Sequence, residues 1–220
     1  MLSEPTLTSR AEDGRDIPLL VWRADVPLRA VSSGPLGGGI GVRRWVLNAT
    51  VPMSYDRDDP AAHLAALAAD LALDGPGVGL LTGVDVAEVV ARTDTGVRAW
   101  VTVGLGTPVL AAAPAPAALA QRVGTVNIVV YVPARLADSA LVNAVATATE
   151  AKTQAIRELR LPGTGTPTDS VTVLCPVDGP EAVYGGPRST WGAPLARAVH
   201  AAVLAGGTGT VVPWSEQQPG

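Results

Sequence analysis

The chain has 220 residues, 47% of them hydrophobic, with a formal net charge of −4 and a sequence pI near 5.1. That length fits one domain, or two small ones, with enough apolar side chains for a sizeable core. The acidic balance and the lack of a basic tract argue against a nucleic-acid partner, and the single cysteine, Cys175, excludes an internal disulfide and a cysteine-based zinc site.

Residues 1–16 are polar, lack an apolar signal core and are expected to be a flexible leader. No apolar run reaches the ~18 residues that suggest a membrane span, so the chain is expected to be cytoplasmic and free of membrane. IPLLVWR (17–23) and LRAVSS (28–33) read as two strands separated by a short turn. GPLGGGIG (34–41) is a glycine loop without the lysine of a nucleotide-binding P-loop. RRWVLNATV (43–51) reads as a third strand. DPAAHLAALAADLAL (59–73) reads as a helix that Asp59 can cap and Pro60 can start.

GVGLLTGV (77–84) reads as a strand. Residues 87–105 read as a hairpin turning at TDTG. Residues 113–123 read as a loop leading into a short helix. TVNIVVYV (125–132), apolar and β-branched, reads as a central strand. A long helix is expected over 138–160, stopped by Leu161-Pro162-Gly163. GTGTPTDS (163–170) is a Gly/Thr loop feeding the strand SVTVLC (170–175). A last helix is expected over 192–206. Such mixing predicts an α/β or α+β layered sandwich with a mixed β-sheet and packed helices. It is expected to form one domain over 17–206, followed by a loose tail over 207–220. Pattern alone does not set the strand order.

Lys152 is the only lysine among sixteen basic residues. Stepping 100° per residue along the long helix places Leu141, Val142, Val145, Ile156 and Leu159 on one arc. Lys152 falls within that arc, where the core should be. Asn143, Thr147, Glu150, Gln154 and Arg157 fall on the opposite, polar side. A buried ammonium must pair, reach solvent or lose its proton, and arginine cannot do the last. Lys152 is therefore a candidate base or nucleophile activator, with a structural ion pair as the competing reading.

The Gly/Thr loop supplies Thr166, Thr168 and Ser170 as candidate nucleophiles. Asp169 is a candidate partner for Lys152, and the backbone N–H groups of residues 163–166 are candidate oxyanion donors. An ordinary turn would account for the same residues. Glu150 belongs to the polar face, although an alanine-rich helix buried on two sides would bring it inward. Asn127, Asn48 and Tyr55 are candidate ligand contacts, as are the backbones at Gly163 and Gly165. Satisfied core amides and a polar loop are the competing readings. His63 and His200 each stand alone on a helix, and Cys175 ends a strand and reads as buried and inert. No motif suggests a resident metal or cofactor, and a dependence on divalent metal is left open.

VPMSYDRDDP, VGLLTGVDV, VTVGLGTP, GTVNIVVYV, ALVNAVATATEAKTQAI and TGTPTDSVTV occur in this order. Together, over roughly residues 25–205, they resemble the adenosylcobinamide amidohydrolase family of corrinoid salvage. The T-E-A-K helix followed by T-G-T-x-T-D-S carries the resemblance as a combination. Val103 stands where the family pattern has a small residue, and Pro167 stiffens the loop. The resemblance implies hydrolysis of the amide between the aminopropanol arm and the corrin ring. The products would be adenosylcobyric acid and 1-aminopropan-2-ol. The partner would be a small-molecule corrinoid carrying its own cobalt, and a homo-oligomer is compatible with this reading. Two alternatives are a corrinoid-binding module without catalysis and a self-processing hydrolase. The latter would expose a threonine amine at Gly124-Thr125 or Gly165-Thr166.

Overall fold

The computed structural model describes residues 1–12, 14–114, 124–209 and 212–216. The segment expected to form a short helix before residue 124 lies almost wholly outside the described residues. Eight strands, β1 (Thr6–Glu12), β2 (Arg15–Ser32), β3 (Gly39–Thr50), β4 (Gly77–Thr82), β5 (Val90–Asp94), β6 (Val97–Val103), β7 (Val126–Tyr131) and β8 (Ser170–Pro176), form one mixed sheet. Its order is β4-β3-β2-β8-β7-β6-β5, and β1 adds to β2. The β3–β4 and β7–β8 pairs are parallel; every other pair is antiparallel. Helices α1 (Pro60–Asp70), α2 (Asp138–Glu158) and α3 (Gly192–Gly206) pack on this sheet. The layered α/β architecture is the one expected.

The sheet is not flat. Trp22 of β2 and Trp100 of β6 meet edge to face with ring centroids 6.1 Å apart, although β8 and β7 lie between their strands. Asn48 of β3 bonds Thr102 of β6 at 3.1 Å, four strand steps away. Four steps span about 19 Å in a flat sheet, so the sheet curls until its two halves face each other. The concave side holds one core around Trp22, Leu28, Val46, Leu80, Trp100 and Val129. The convex side carries two more, one under α1 and one under α2 and α3. β7 alternates between them. Val126, Ile128 and Val130 face the helices, and Val129 faces the concave core.

Local chemistry accounts for several elements. Asp59 caps α1 by accepting from the Ala62 N–H at 2.9 Å, with Pro60 just inside. The hairpin turns at Thr95-Gly96, both with positive φ (47° and 82°), as a two-residue turn of matching twist requires. α2 ends in a Schellman cap. Arg160 takes φ 60°, Leu161 N–H donates to Ile156 O, and Arg160 N–H to Arg157 O. This cap turns the chain back so that the Gly/Thr loop lies against the helix.

Two expectations are corrected. The two strands expected at 17–23 and 28–33 are one 18-residue strand, β2, with a register shift between Arg23 and Leu28. The bulge absorbs the supposed turn without ending the ladder. The leader expected over 1–16 contains β1, paired with β2 from Thr6↔Val21 to Glu12↔Arg15. β1 is polar and largely exposed, so backbone bonding holds it, and an apolar pattern could not reveal it. Beyond α3, Trp214 is buried and its backbone N–H donates to Gly83 O at 3.0 Å.

Candidate active site

α2 buries Ala140, Ala144, Ala148, Ala151 and Ala155, a stripe small enough for close approach to the sheet and to α3. Its apolar face is therefore not the arc expected. Val142 is 58% exposed, and Thr147 is buried with its hydroxyl donating to Gly185 O at 2.9 Å. A helix packed on two sides buries a wider arc than hydropathy marks, and alanine contributes little to that signal. Lys152 does lie on the buried face, with only 7% of its side chain exposed.

Lys152 Nζ donates to Asp169 Oδ2 in a buried ion pair. The carboxylate has further partners. Oδ2 accepts the Thr166 N–H at 3.0 Å, and Oδ1 accepts the Val126 N–H at 2.8 Å and contacts the Thr166 hydroxyl. Asp169 thus ties together α2, its own loop and the start of β7. Thr166 Oγ1 and Thr168 Oγ1 both reach Gly124 O, at 2.5 and 3.1 Å. Thr168 Oγ1 also lies 2.6 Å from Thr125 Oγ1. Thr166 and Thr125 are buried, whereas Thr168 is exposed, so the hydroxyl cluster runs from the ion pair to the surface.

The backbone of the loop is shaped around the pair. A Cβ on Gly165 would fall 2.5 Å from both Lys152 Nζ and Asp169 Oδ2, so glycine gives them room to meet. Gly163 packs equally tightly on Pro108 and Val109. Its N–H donates to Leu161 O, the Thr164 N–H to Val109 O and the Thr166 N–H to Asp169. These three groups, expected as oxyanion donors, are already engaged. Thr153 Oγ1 donates to Thr164 O at 2.9 Å and pins the loop to α2.

The other candidates fall in three places. Asn127 and Asn48 do meet. Asn127 Nδ2 donates to Asn48 Oδ1 at 2.9 Å and to Leu81 O at 3.0 Å, and Asn48 Nδ2 donates to the Thr102 hydroxyl. Both amides are nearly fully buried on the concave side, where they join β3, β4, β6 and β7 at the curl of the sheet. Glu150 is exposed and lines a cleft of about 400 Å³ with Gln154, Arg197 and His200. Lys152 and Asp169 do not line this cleft. A larger cleft of about 560 Å³, between the Arg29–Asp138 and Arg135–Glu181 ion pairs, is also lined by other residues. The Lys152 pair joins buried charge to a hydroxyl array, which neither cleft does.

Tyr55 lies apart, stacked on His63 with its hydroxyl 3.1 Å from Nδ1. Burial, then the Arg57 and Arg10 charges, hold His63 below its ordinary value of 6.5. A depressed histidine leaves stability intact above pH 6.5 and lowers it as pH falls from there through the folded-state value. Thermal melts across that range should show the decline, and His63→Gln should flatten it; an unchanged slope would remove His63 as its cause. Burial likewise pushes the Cys175 thiol up, in keeping with an inert core cysteine. Among the described residues, no group of three or more His, Cys, Asp or Glu side chains could hold a metal ion, and no helix is long and apolar enough to cross a membrane.

The Val126 N–H was missed from sequence, and Gly124 and Thr125 were singled out only as a self-processing step, not as neighbours of the Lys152 pair. The signal was present: a Gly-Thr step opens the central strand, next to Asn127. Comparison with known proteins agrees with the motifs. A family model described as adenosylcobinamide amidohydrolase matches residues 4–210. An adenosylcobinamide amidohydrolase of Methanosarcina mazei is 30% identical over 186 residues, covering 80% of this chain and 88% of that protein. An uncharacterised protein of Methanocaldococcus jannaschii is 37% identical over 92 residues, covering 38% of this chain and 36% of its own. With the family model spanning nearly all of its length, the chain belongs to the adenosylcobinamide amidohydrolase family.

Proposed function

We propose that this chain hydrolyses the amide joining the aminopropanol arm to the corrin ring of adenosylcobinamide, in the cytoplasm. The products are adenosylcobyric acid and 1-aminopropan-2-ol. The observation that carries the location of the chemistry is the buried Lys152–Asp169 pair bonded into the threonine cluster. An unactivated amide needs an oxygen nucleophile, a proton for the leaving amine and positive or hydrogen-bonding groups on the developing oxyanion.

Asp169 holds the Thr166 hydroxyl and the start of β7 in place. Lys152, paired with Asp169, acts as a fixed positive charge and proton donor rather than as the free base its helix phase suggested. The Thr125–Thr168 hydroxyl pair, at the exposed end of the cluster, meets the substrate. Asn127 and Asn48 hold the curl that presents the start of β7. Glu150 and Tyr55 take no part in this arrangement.

Incubating purified protein with adenosylcobinamide should give adenosylcobyric acid and free aminopropanol, followed by chromatography and mass, with and without divalent metal. Saturable corrinoid binding without product would replace hydrolysis by the binding-module reading.

A further inference from the structure

The Gly124 carbonyl is the point on which the threonine cluster converges. Thr166 Oγ1 and Thr168 Oγ1 approach its oxygen at 2.5 and 3.1 Å, from the same loop but from separate residues. Thr166 is held by Asp169, which Lys152 holds in turn. The next residue is Thr125, whose own hydroxyl lies 2.6 Å from Thr168 Oγ1. A carbonyl within reach of two hydroxyls, followed by a residue with a hydroxyl on a proton relay, has the parts of an acyl-transfer site. Gly124 is itself fitted to the cluster, because a Cβ there would crowd Thr166 Cβ at 3.1 Å and the Thr107 N at 3.2 Å.

We propose that the chain cleaves its own Gly124–Thr125 bond. Thr125 Oγ1 bonds to the Gly124 carbonyl carbon, and the Thr166 hydroxyl turns its proton to the oxyanion. The Thr125 hydroxyl proton passes through Thr168 to the Thr125 nitrogen. The C–N bond breaks, leaving an ester between Gly124 and the Thr125 side chain. Water adds to that ester and its C–O bond breaks. The products are a Gly124 carboxylate and a Thr125 with a free hydroxyl and a free α-amine.

The same test of geometry rejects the other Gly-Thr step in this site. The Gly165 carbonyl accepts the Val109 N–H at 2.8 Å in a backbone bridge, and Thr166 turns its hydroxyl to Gly124 and Asp169 instead. After cleavage, the segment beginning at Thr125 stays in the sheet. Gly104 N–H bonds Thr125 O at 2.9 Å, and β7 keeps its pairing to β6 and β8. The new α-amine would lie beside the Thr125 hydroxyl and serve as the base that the ion-paired Lys152 does not supply. This last step rests on the amidohydrolase reading; the cleavage does not.

Intact mass and N-terminal sequencing of freshly purified and incubated full-length protein test the cleavage without any corrinoid. Loss of the 22.3 kDa species to fragments 1–124 and 125–220, the second beginning Thr-Val-Asn-Ile, is the expected result. Thr125→Ala should stay intact, Thr125→Ser should still cleave, and Thr168→Val should cleave at least tenfold more slowly. A uniform 22.3 kDa species after prolonged incubation overturns the proposal, as does cleavage of Thr125→Ala at the same bond. Far-ultraviolet circular dichroism of Thr125→Ala matching the parent shows that an intact variant is folded. A chain that stays whole yet hydrolyses adenosylcobinamide refutes self-cleavage alone. A chain that cleaves but leaves adenosylcobinamide untouched refutes the substrate alone.

Discussion

Replacing Lys152 by Met should lower kcat/KM for adenosylcobinamide by about 10²–10³-fold, the range seen when one group that stabilises a developing oxyanion is removed. It should also destabilise the fold. Lys152 and Asp169 expose only 7% and 12% of their side chains, so removing the ammonium leaves a nearly buried carboxylate unpaired. Such a break costs about 3–5 kcal/mol. The lower end applies here, because the Val126 and Thr166 N–H groups still bond Asp169. Loss of activity in this variant alone could therefore reflect poor folding. Adding Asp169→Asn separates the two effects. The amide keeps an acceptor for the Val126 N–H and removes the stranded charge. Chemical denaturation should show the double variant recovering most of the lost stability, while the corrinoid assay shows no recovery of activity. Recovery of both would make the pair purely structural. Arginine at 152 should not rescue turnover, since Nζ already sits against the Gly165 backbone and a guanidinium is larger.

How much of this was legible in the sequence differs by residue. The burial of Lys152 could be read from helix phase, because one charged residue interrupts an otherwise apolar or small-residue arc. Its pairing with Asp169 could be suspected, because a loop leaving the same helix returns past it. The capping of α1 and the Thr95-Gly96 hairpin were legible because both are set by residues within four positions of each other. The curl of the sheet was not legible. It is fixed by contacts such as Asn48 to Thr102 and Trp22 to Trp100, which join residues more than fifty positions apart. Asn48 and Asn127 were singled out separately as polar residues in apolar strands, but only the curl brings them together. Thr125 was named only through the Gly124-Thr125 step, because a threonine at the start of a β-branched strand otherwise looks like ordinary strand composition. Its meaning comes from Thr168 opposite, and only the fold supplies that neighbour. The outward turn of Val142 has a similar cause. The alanine stripe, not the larger side chains, sets how α2 lies between the sheet and α3.

Gly165→Ala should be nearly as damaging to activity as loss of the lysine, although it removes no functional group. Gly165 is absent from the positive-φ residues, so an alanine backbone is acceptable there and the effect must come from space. The added methyl would lie 2.5 Å from Asp169 Oδ2 and from Lys152 Nζ, a distance real Cβ contacts essentially never show. Both groups are anchored: Asp169 by two backbone N–H groups, and Lys152 by its pair and by its position on α2. The loop must therefore move, or the pair must open. Overpacking of this kind costs about 1–3 kcal/mol. A displacement of about 1 Å at a catalytic group is worth about 10²-fold in rate. The fall should appear in kcat rather than in KM, because the Thr125 and Thr168 hydroxyls at the exposed end of the cluster are left in place. Gly209→Ala, where an added Cβ meets nothing within 4 Å, is the matched control and should change neither stability nor turnover. Wild-type kcat in Gly165→Ala would mean that the close approach of Lys152 and Asp169 is not what the reaction needs. Attention would then pass to the hydroxyls of Thr125 and Thr168, which this substitution leaves untouched.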